Sequence, residues 1–343
     1  MASNPKLSIP WKIKLHISTL AFGVDITRRS DGTVNRFLMS LFDVKSPPSN
    51  KPISGVTATD ITVDKARNLW FRLYTPISDG DTSSTNTMPV IFYFHGGGFA
   101  YLSADSKPLD EFCYGLARLL SAIVVSVNYR LAPENRYPAQ PEDCFDTVKF
   151  IDETTSILGF PSYANLKNCF LAGDSAGGNL VHHVMVKASQ HKFRNVKLIG
   201  GILIQPYFGG EERTESEIRL SGKVPYVTMD RTDWMWKVYL PEGSDRDHPA
   251  SNVFGPNSEY NSGQEIPIRI PPSVIFVGGF DPLIDWQKRY YEGLKKLGKE
   301  VNLIEYPNAF HTFYVYPELP EFSLFINDVK DFMQKQIVAA ANN

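Results

Sequence analysis

From Val56 to Phe310, short apolar runs and longer amphipathic stretches take turns along the chain. Thr57 to Val63 and Leu69 to Tyr74 are rich in β-branched and aromatic residues. Asp64-Lys65-Ala66-Arg67-Asn68 between them reads as a hairpin. Val90 to Phe94, Ala122 to Val127, Cys169 to Ala172, Val196 to Ile204, Ser273 to Val277 and Val301 to Tyr306 are dominated by apolar residues, the mark of strands buried on both faces of a parallel sheet. Helical patterning over about 106–120, over 142–155 and after Ser175 lies between these runs, so the pattern predicts βαβ units and a mostly parallel sheet with helices on both faces. The stretch 78–87, dominated by Ser, Thr, Asp, Asn and Gly, reads as a surface loop. No internal repeat or low-complexity tract appears.

Two stretches break the alternation. Between Gln205 and Pro272 it stops, and Tyr207, Phe208, Tyr226, Trp234, Trp236 and Tyr239 stand among glycines and prolines. This is the pattern of an insertion, whose aromatics either fill its own core or face an apolar pocket. Within it, Glu211-Glu212-Arg213-Thr214-Glu215 reads as a solvated helix start with local ion pairing. At the other end, Ile9 to Val24 is apolar except where Lys12, Lys14 and His16 interrupt it, so it lacks the unbroken core of a signal peptide. No apolar run is long enough to span a bilayer, and no membrane partner is expected. Ser8 before Pro10 signals a helix start, and Trp11, Leu15 and Phe22 recur at helical spacing. Arg28 to Arg36 follows as a turn-rich connection.

Composition narrows the picture further. A hydrophobic fraction of 43% with 21% charged residues describes a globular protein with ample core. A net charge of −2, with no basic patch studded by aromatics, argues against a nucleic-acid partner. Cys113, Cys144 and Cys169 have no metal-ligand spacing, and Cys144 and Cys169 sit in apolar contexts that suit buried thiols in a reducing, cytoplasmic compartment. No metal or cofactor is expected.

The candidate chemistry begins at Gly173-Asp174-Ser175-Ala176-Gly177, which follows the apolar run Cys169 to Ala172. A G-x-S-x-G pattern between a strand and a helix places its serine on a sharp turn that needs small neighbours, with a helix N-terminus beneath it favouring developing negative charge. Upstream, the run ending at Phe94 leads into His95-Gly96-Gly97-Gly98-Phe99. Glycines there let backbone N–H groups approach an oxygen without Cβ interference, so Gly97, Gly98 and Ala176 are the candidate oxyanion donors. Asp281 and His311 each follow a predicted strand, at the carboxyl edge where parallel sheets build their sites. Asp285 is a rival carboxylate. Pro282, favoured at the first helical position, makes Asp281 the expected N-cap residue and puts Asp285 inside the helix.

The segments His95 to Gly98, Gly173 to Asn179 and Tyr129-Arg130-Leu131-Ala132-Pro133-Glu134 together resemble the hormone-sensitive-lipase group of α/β-hydrolases. Within that group the chain is most similar to plant carboxylesterases, the branch that also holds the gibberellin receptors, over about residues 8–336. The resemblance implies an α/β-hydrolase fold, a single domain over 1–343 with cap elements at about 1–45 and 206–255. It implies a serine esterase in which Ser175 is the nucleophile, His311 the base and Asp281 the orienting acid, in the chain order such folds use. The partner it implies is a small, uncharged, fairly apolar ester. Asp174 is expected to anchor the loop, His95 to shape the glycine turn, and His182 and His183 to be packing or surface residues. The receptors of this branch keep the serine and have lost the histidine, so His311 points to an enzyme. Elimination or cyclisation of a plant specialised metabolite on the same scaffold remains an alternative.

Overall fold

The apolar runs become strands whose side chains are buried on both faces; Val90, Ile91, Phe92, Tyr93 and Phe94 are all sealed from solvent. The computed structural model describes residues 7, 9–77, 87–154, 160–224, 226–261 and 269–342. In chain order the strands are β1 Val56–Asp64, β2 Leu69–Pro76, β3 Met88–Phe94, β4 Ile123–Asn128, β5 Ala164–Asp174, β6 Leu198–Ile204, β7 Ser273–Phe280 and β8 Val301–Phe310. The helices are α1 Trp11–Thr27, α2 Arg36–Met39, α3 Lys107–Leu120, α4 Ala139–Thr154, α5 Ala176–Ser189, α6 Glu215–Leu220, α7 Met229–Tyr239, α8 Ile284–Lys296 and α9 Pro320–Ala341. The sheet order is β1-β2-β4-β3-β5-β6-β7-β8. β2 pairs antiparallel with β1 and β4, and every other neighbouring pair is parallel.

Amphipathic helices cover both faces, as α3 illustrates. It buries Leu109, Phe112, Cys113, Leu116, Ala117 and Leu120, a single stripe at helical spacing, and ends on Ser121 in the left-handed conformation. The core correspondingly divides into two clusters, one centred on α5 and the other on α3 and α9. The predicted mostly parallel α/β sheet is what forms. Strand ends run a few residues beyond the apolar cores, and most of the stretch 78–87, together with Ser8 and Thr155, lies outside the described residues.

The N-terminal helix starts at Trp11, directly after Pro10, but the face it buries is not the one marked by Trp11, Leu15 and Phe22. Those three are 57–70% exposed, while Ile13, Ile17, Ala21 and Val24 pack inward. The helix is apolar on two sides, so spacing alone does not choose between them. In the insertion, the start of α6 is held by a capping box between Thr214 and Glu217. Its ion pairs are not only local: Glu211 reaches Arg246, Glu212 reaches Arg289, and Arg213 reaches Asp233. Cys113, Cys144 and Cys169 are free and buried. Among the described residues, no helix is long and apolar enough to cross a membrane.

Candidate active site

The turn between β5 and α5 forces Ser175 to φ 51° and ψ −116°, a region that costs roughly 1–3 kcal/mol for a residue with a Cβ. The neighbours hold it there. Ser175 N–H donates to the Ile204 carbonyl at 2.8 Å, and the Ser175 carbonyl accepts from Tyr207 N–H at 2.8 Å. Gly173 and Gly177 are required by contact: a Cβ on Gly177 would overlap the Phe94 carbonyl, and one on Gly173 the Gly177 carbonyl. Ala176 opens α5, so its N–H is one of the first-turn donors without an intrahelical acceptor.

β3 delivers the glycine turn beside this serine. Gly97 and Gly98 take φ +108° and +60°, values that favour glycine. Asp174 ties the two loops together: its carboxylate accepts from Gly96 N–H at 2.8 Å, from Tyr314 Oη at 2.7 Å and from the Tyr93 hydroxyl. Burial pushes the Asp174 carboxyl above its ordinary range, while these three donors pull the other way. His95 stacks on Tyr129 at 4.2 Å between ring centroids, and Tyr129 Oη donates to the His95 carbonyl at 2.7 Å. Its Nδ1 lies 2.7 Å from the Gly96 carbonyl, and burial drives its pKa down to about 4, so it stays neutral near pH 7.

Asp281 and His311 follow the last residues of β7 and β8. His311 Nδ1 lies 2.8 Å from Asp281 Oδ2, and its Nε2 3.0 Å from Ser175 Oγ. Because an ionised carboxylate only accepts, Nδ1 carries the proton and Nε2 faces the serine as an acceptor. Asp281 is fully buried and also accepts from Leu283 N–H at 3.0 Å and from Gln287 Nε2 at 2.9 Å. The helical start read from Pro282 needs correction: α8 begins at Ile284 with Leu283 before it, and Asp281 closes a short turn onto Leu283 N–H instead of capping the helix. Asp285 points away, accepting from Ser216 N–H at 2.8 Å and so fastening α6 to α8.

Several supports were not singled out by motif. Gln205, buried, brackets His311 by accepting from Thr312 N–H at 2.9 Å and donating to the Phe310 carbonyl at 3.2 Å. Tyr93, Tyr314 and Gln287 act on Asp174 and Asp281 as described. In the Tyr129 to Glu134 segment, Arg130 forks onto Asp143, and Glu134 pairs with Arg36 of α2. His182 Nδ1 is 2.9 Å from Tyr290 Oη and His183 Nε2 is 3.3 Å from the Ala250 carbonyl; both rings pack away from the serine, and burial depresses both pKa values.

Ser175, His311 and Asp174 border a cavity of about 680 Å³. Its outer wall is Ile17 and Leu20 of α1 and the segment Leu41 to Val44. Among the described residues of the insertion, Tyr226 is the one aromatic that reaches it, because Tyr207, Trp236 and Tyr239 stack with one another and with Phe99. Among the described residues, no group of His, Cys, Asp and Glu is arranged to hold a metal ion.

A family model described as alpha/beta hydrolase fold matches residues 91–315. The chain belongs to the α/β-hydrolase family. A second model, the carboxylesterase family, matches residues 48–133. The gibberellin receptor GID1C of Arabidopsis thaliana is 40% identical over 96% of this chain and 96% of its own length. Carboxylesterase 20 of the same plant is 39% identical over 81% of this chain and 85% of its own. The 3-O-acetylpapaveroxine carboxylesterase of Papaver somniferum is 34% identical over 77% and 88%. Among solved structures, an esterase of Pyrobaculum calidifontis is 26% identical, with a TM-score of 0.70 over 97% of this chain and 95% of its own. This α/β-hydrolase is thus of the carboxylesterase type, a serine hydrolase in the plant branch that includes the gibberellin receptors.

Proposed function

We propose that this α/β-hydrolase cleaves small, uncharged, fairly apolar carboxylic esters through Ser175, His311 and Asp281. The observation that carries the reading is the bridge of His311 between Ser175 Oγ, on the cavity wall, and the Asp281 carboxylate buried behind it. His311 Nε2 takes the Ser175 proton as Oγ attacks the ester carbonyl, and Asp281 stabilises the imidazolium. The oxyanion falls to the N–H groups of Gly97, Gly98 and Ala176, each worth roughly 3–4 kcal/mol of transition-state stabilisation. His311 then protonates the leaving alcohol, water attacks the acyl-serine with His311 again as base, and the carboxylic acid departs as Oγ regains its proton. Residues of about 1–45 and 206–255 serve as the cap. Apolar Ile17, Leu20 and Phe42 along the cavity support an apolar substrate. The free, buried cysteines support a reducing, cytoplasmic setting.

A binding-only role, suggested by the likeness to gibberellin receptors, is the second reading. A site that only binds has no need of a histidine aligned on the serine. The discriminating experiment assays p-nitrophenyl acetate and butyrate hydrolysis alongside direct gibberellin binding. Turnover abolished by Ser175→Ala is expected; tight gibberellin binding without turnover would favour the receptor reading.

A further inference from the structure

A further cavity, of about 450 Å³, lies outside the catalytic one. Its walls are mostly apolar: Ile53 before β1, Phe112 and Leu119 of α3, Pro317 after β8 and Phe322 of α9. Among the described residues it shares Glu111, Val315 and Pro317 with the catalytic cavity, and it contains none of Ser175, Asp281 and His311. Its volume falls in the range of small-molecule sites.

Three residues of α3 on this cavity are at odds with simple packing. Gly115 stands in the middle of the helix, where glycine costs roughly 1 kcal/mol relative to alanine. No close approach demands it, since a Cβ on Gly115 would meet nothing within 4 Å. What the glycine leaves is depth in the cavity. Tyr114 is 9% exposed, and its hydroxyl is sealed without a hydrogen-bond partner among the described residues. Such an orphan costs roughly 1–3 kcal/mol, which phenylalanine would avoid while filling the same space. Arg118, one turn beyond Tyr114 and so on the same side of the helix, has no ion-pair or hydrogen-bond partner among the described residues.

The other charges of the cavity are answered. Asp110 accepts from Arg72 at 2.9 Å and from Tyr74 Oη at 2.7 Å, and Glu111 lies 4.0 Å from Lys107 Nζ. An unmet cation and an unmet donor thus stand together beside an apolar space, which is the complement of an acid with an apolar body. Glu111 at the rim disfavours a second negative charge.

We propose that this cavity is a second ligand site and that it takes a small apolar monocarboxylate, with its ring or chain in the space over Gly115 and its carboxylate on Arg118 and the Tyr114 hydroxyl. The planar guanidinium matches a carboxylate in two parallel hydrogen bonds, and the same group supplies the acceptor that Tyr114 lacks. The site stands independently of the ester-hydrolase reading, because none of the catalytic groups takes part in it.

Isothermal titration calorimetry of the full chain with sodium 1-naphthoate tests this, with 1-naphthamide as the uncharged isostere. The wild type is expected to bind naphthoate with a Kd on the order of 100 μM and the amide about tenfold more weakly. Arg118→Ala should weaken naphthoate about tenfold and Arg118→Lys less, with the amide changed by no more than about twofold in either. Gly115→Leu should remove this binding while raising the Tm, because it fills the cavity and replaces a mid-helix glycine, so the loss cannot be ascribed to unfolding. Naphthoate binding indifferent to both Arg118→Ala and Gly115→Leu would belong to the catalytic cavity and overturn the proposal. Equal affinity for acid and amide in the wild type would overturn the carboxylate assignment, and absence of binding up to about 5 mM would overturn the site itself.

Discussion

At the scale of single residues, the decisive contrast is between Asp281 and Asp285. Asp281 is sealed under the sheet edge with three donors converging on it, one of them His311; Asp285 is committed to Ser216. Asp281→Asn is therefore expected to lower turnover of a short-chain ester about a thousandfold or more, as loss of a triad acid does. Asp285→Asn should cost less than about tenfold, with its effect falling on stability. Steady-state kinetics at pH 7 on folded variants checks this, and the opposite ranking would contradict it. Ser175, Asp281 and His311 were legible in the sequence because each follows an apolar strand and because glycines flank the serine. Gln205, Gln287, Tyr93 and Tyr314 were not. Each is an isolated polar side chain, and for Gln205, Tyr93 and Tyr314 the partner lies far away in sequence, so no local pattern announces the bond.

At the scale of elements, the strands were legible because burial on both faces leaves no polar alternation to confuse them. The face of α1 was not. Trp11, Leu15, Phe22 and Ile26 form one apolar stripe and Ile13, Ile17, Ala21 and Val24 another, and only packing against the rest of the chain selects the second. What fixes α1 is a link to the insertion: Arg231 of α7 forks onto Asp25 at 2.6 and 2.8 Å, and Arg28 reaches Asp230 at 2.7 Å. The hydrogen bonds from Arg231 hold the Asp25 carboxyl below its ordinary range, so this link persists at neutral pH and weakens only as strongly acidic pH protonates the carboxylate. Asp25→Asn should loosen α1 over the cavity and raise KM for 1-naphthyl acetate about fivefold, with kcat changed much less. A collapse of kcat at unchanged KM would show that the link serves the chemistry instead of the cavity wall.

At the scale of the whole molecule, three histidines, His95 and His182 buried and His183 half-buried, make stability depend on pH. Burial holds His95 and His183 at about 4 and His182 well below its ordinary value, whereas all three titrate near 6.5 once unfolded. The unfolded chain thus binds more protons between about pH 6.5 and 4; stability is fully present above that window and falls as pH drops through it. Between pH 7 and 5 the loss is about 2 kcal/mol for each of His95 and His183. Urea unfolding at the two pH values measures it, and an unchanged midpoint would contradict the neutral state of these rings. The same fold that keeps these histidines neutral leaves His311 poised on one serine at the wall of one cavity. The most direct measurement of that arrangement is intact-chain mass spectrometry after exposure to a diethylphosphorylating organophosphate. One adduct per chain, mapped to Ser175 and absent from both Ser175→Ala and His311→Ala, is the expected result. Labelling at another residue, or undiminished labelling without His311, would contradict the assignment of Ser175 as a nucleophile activated by His311.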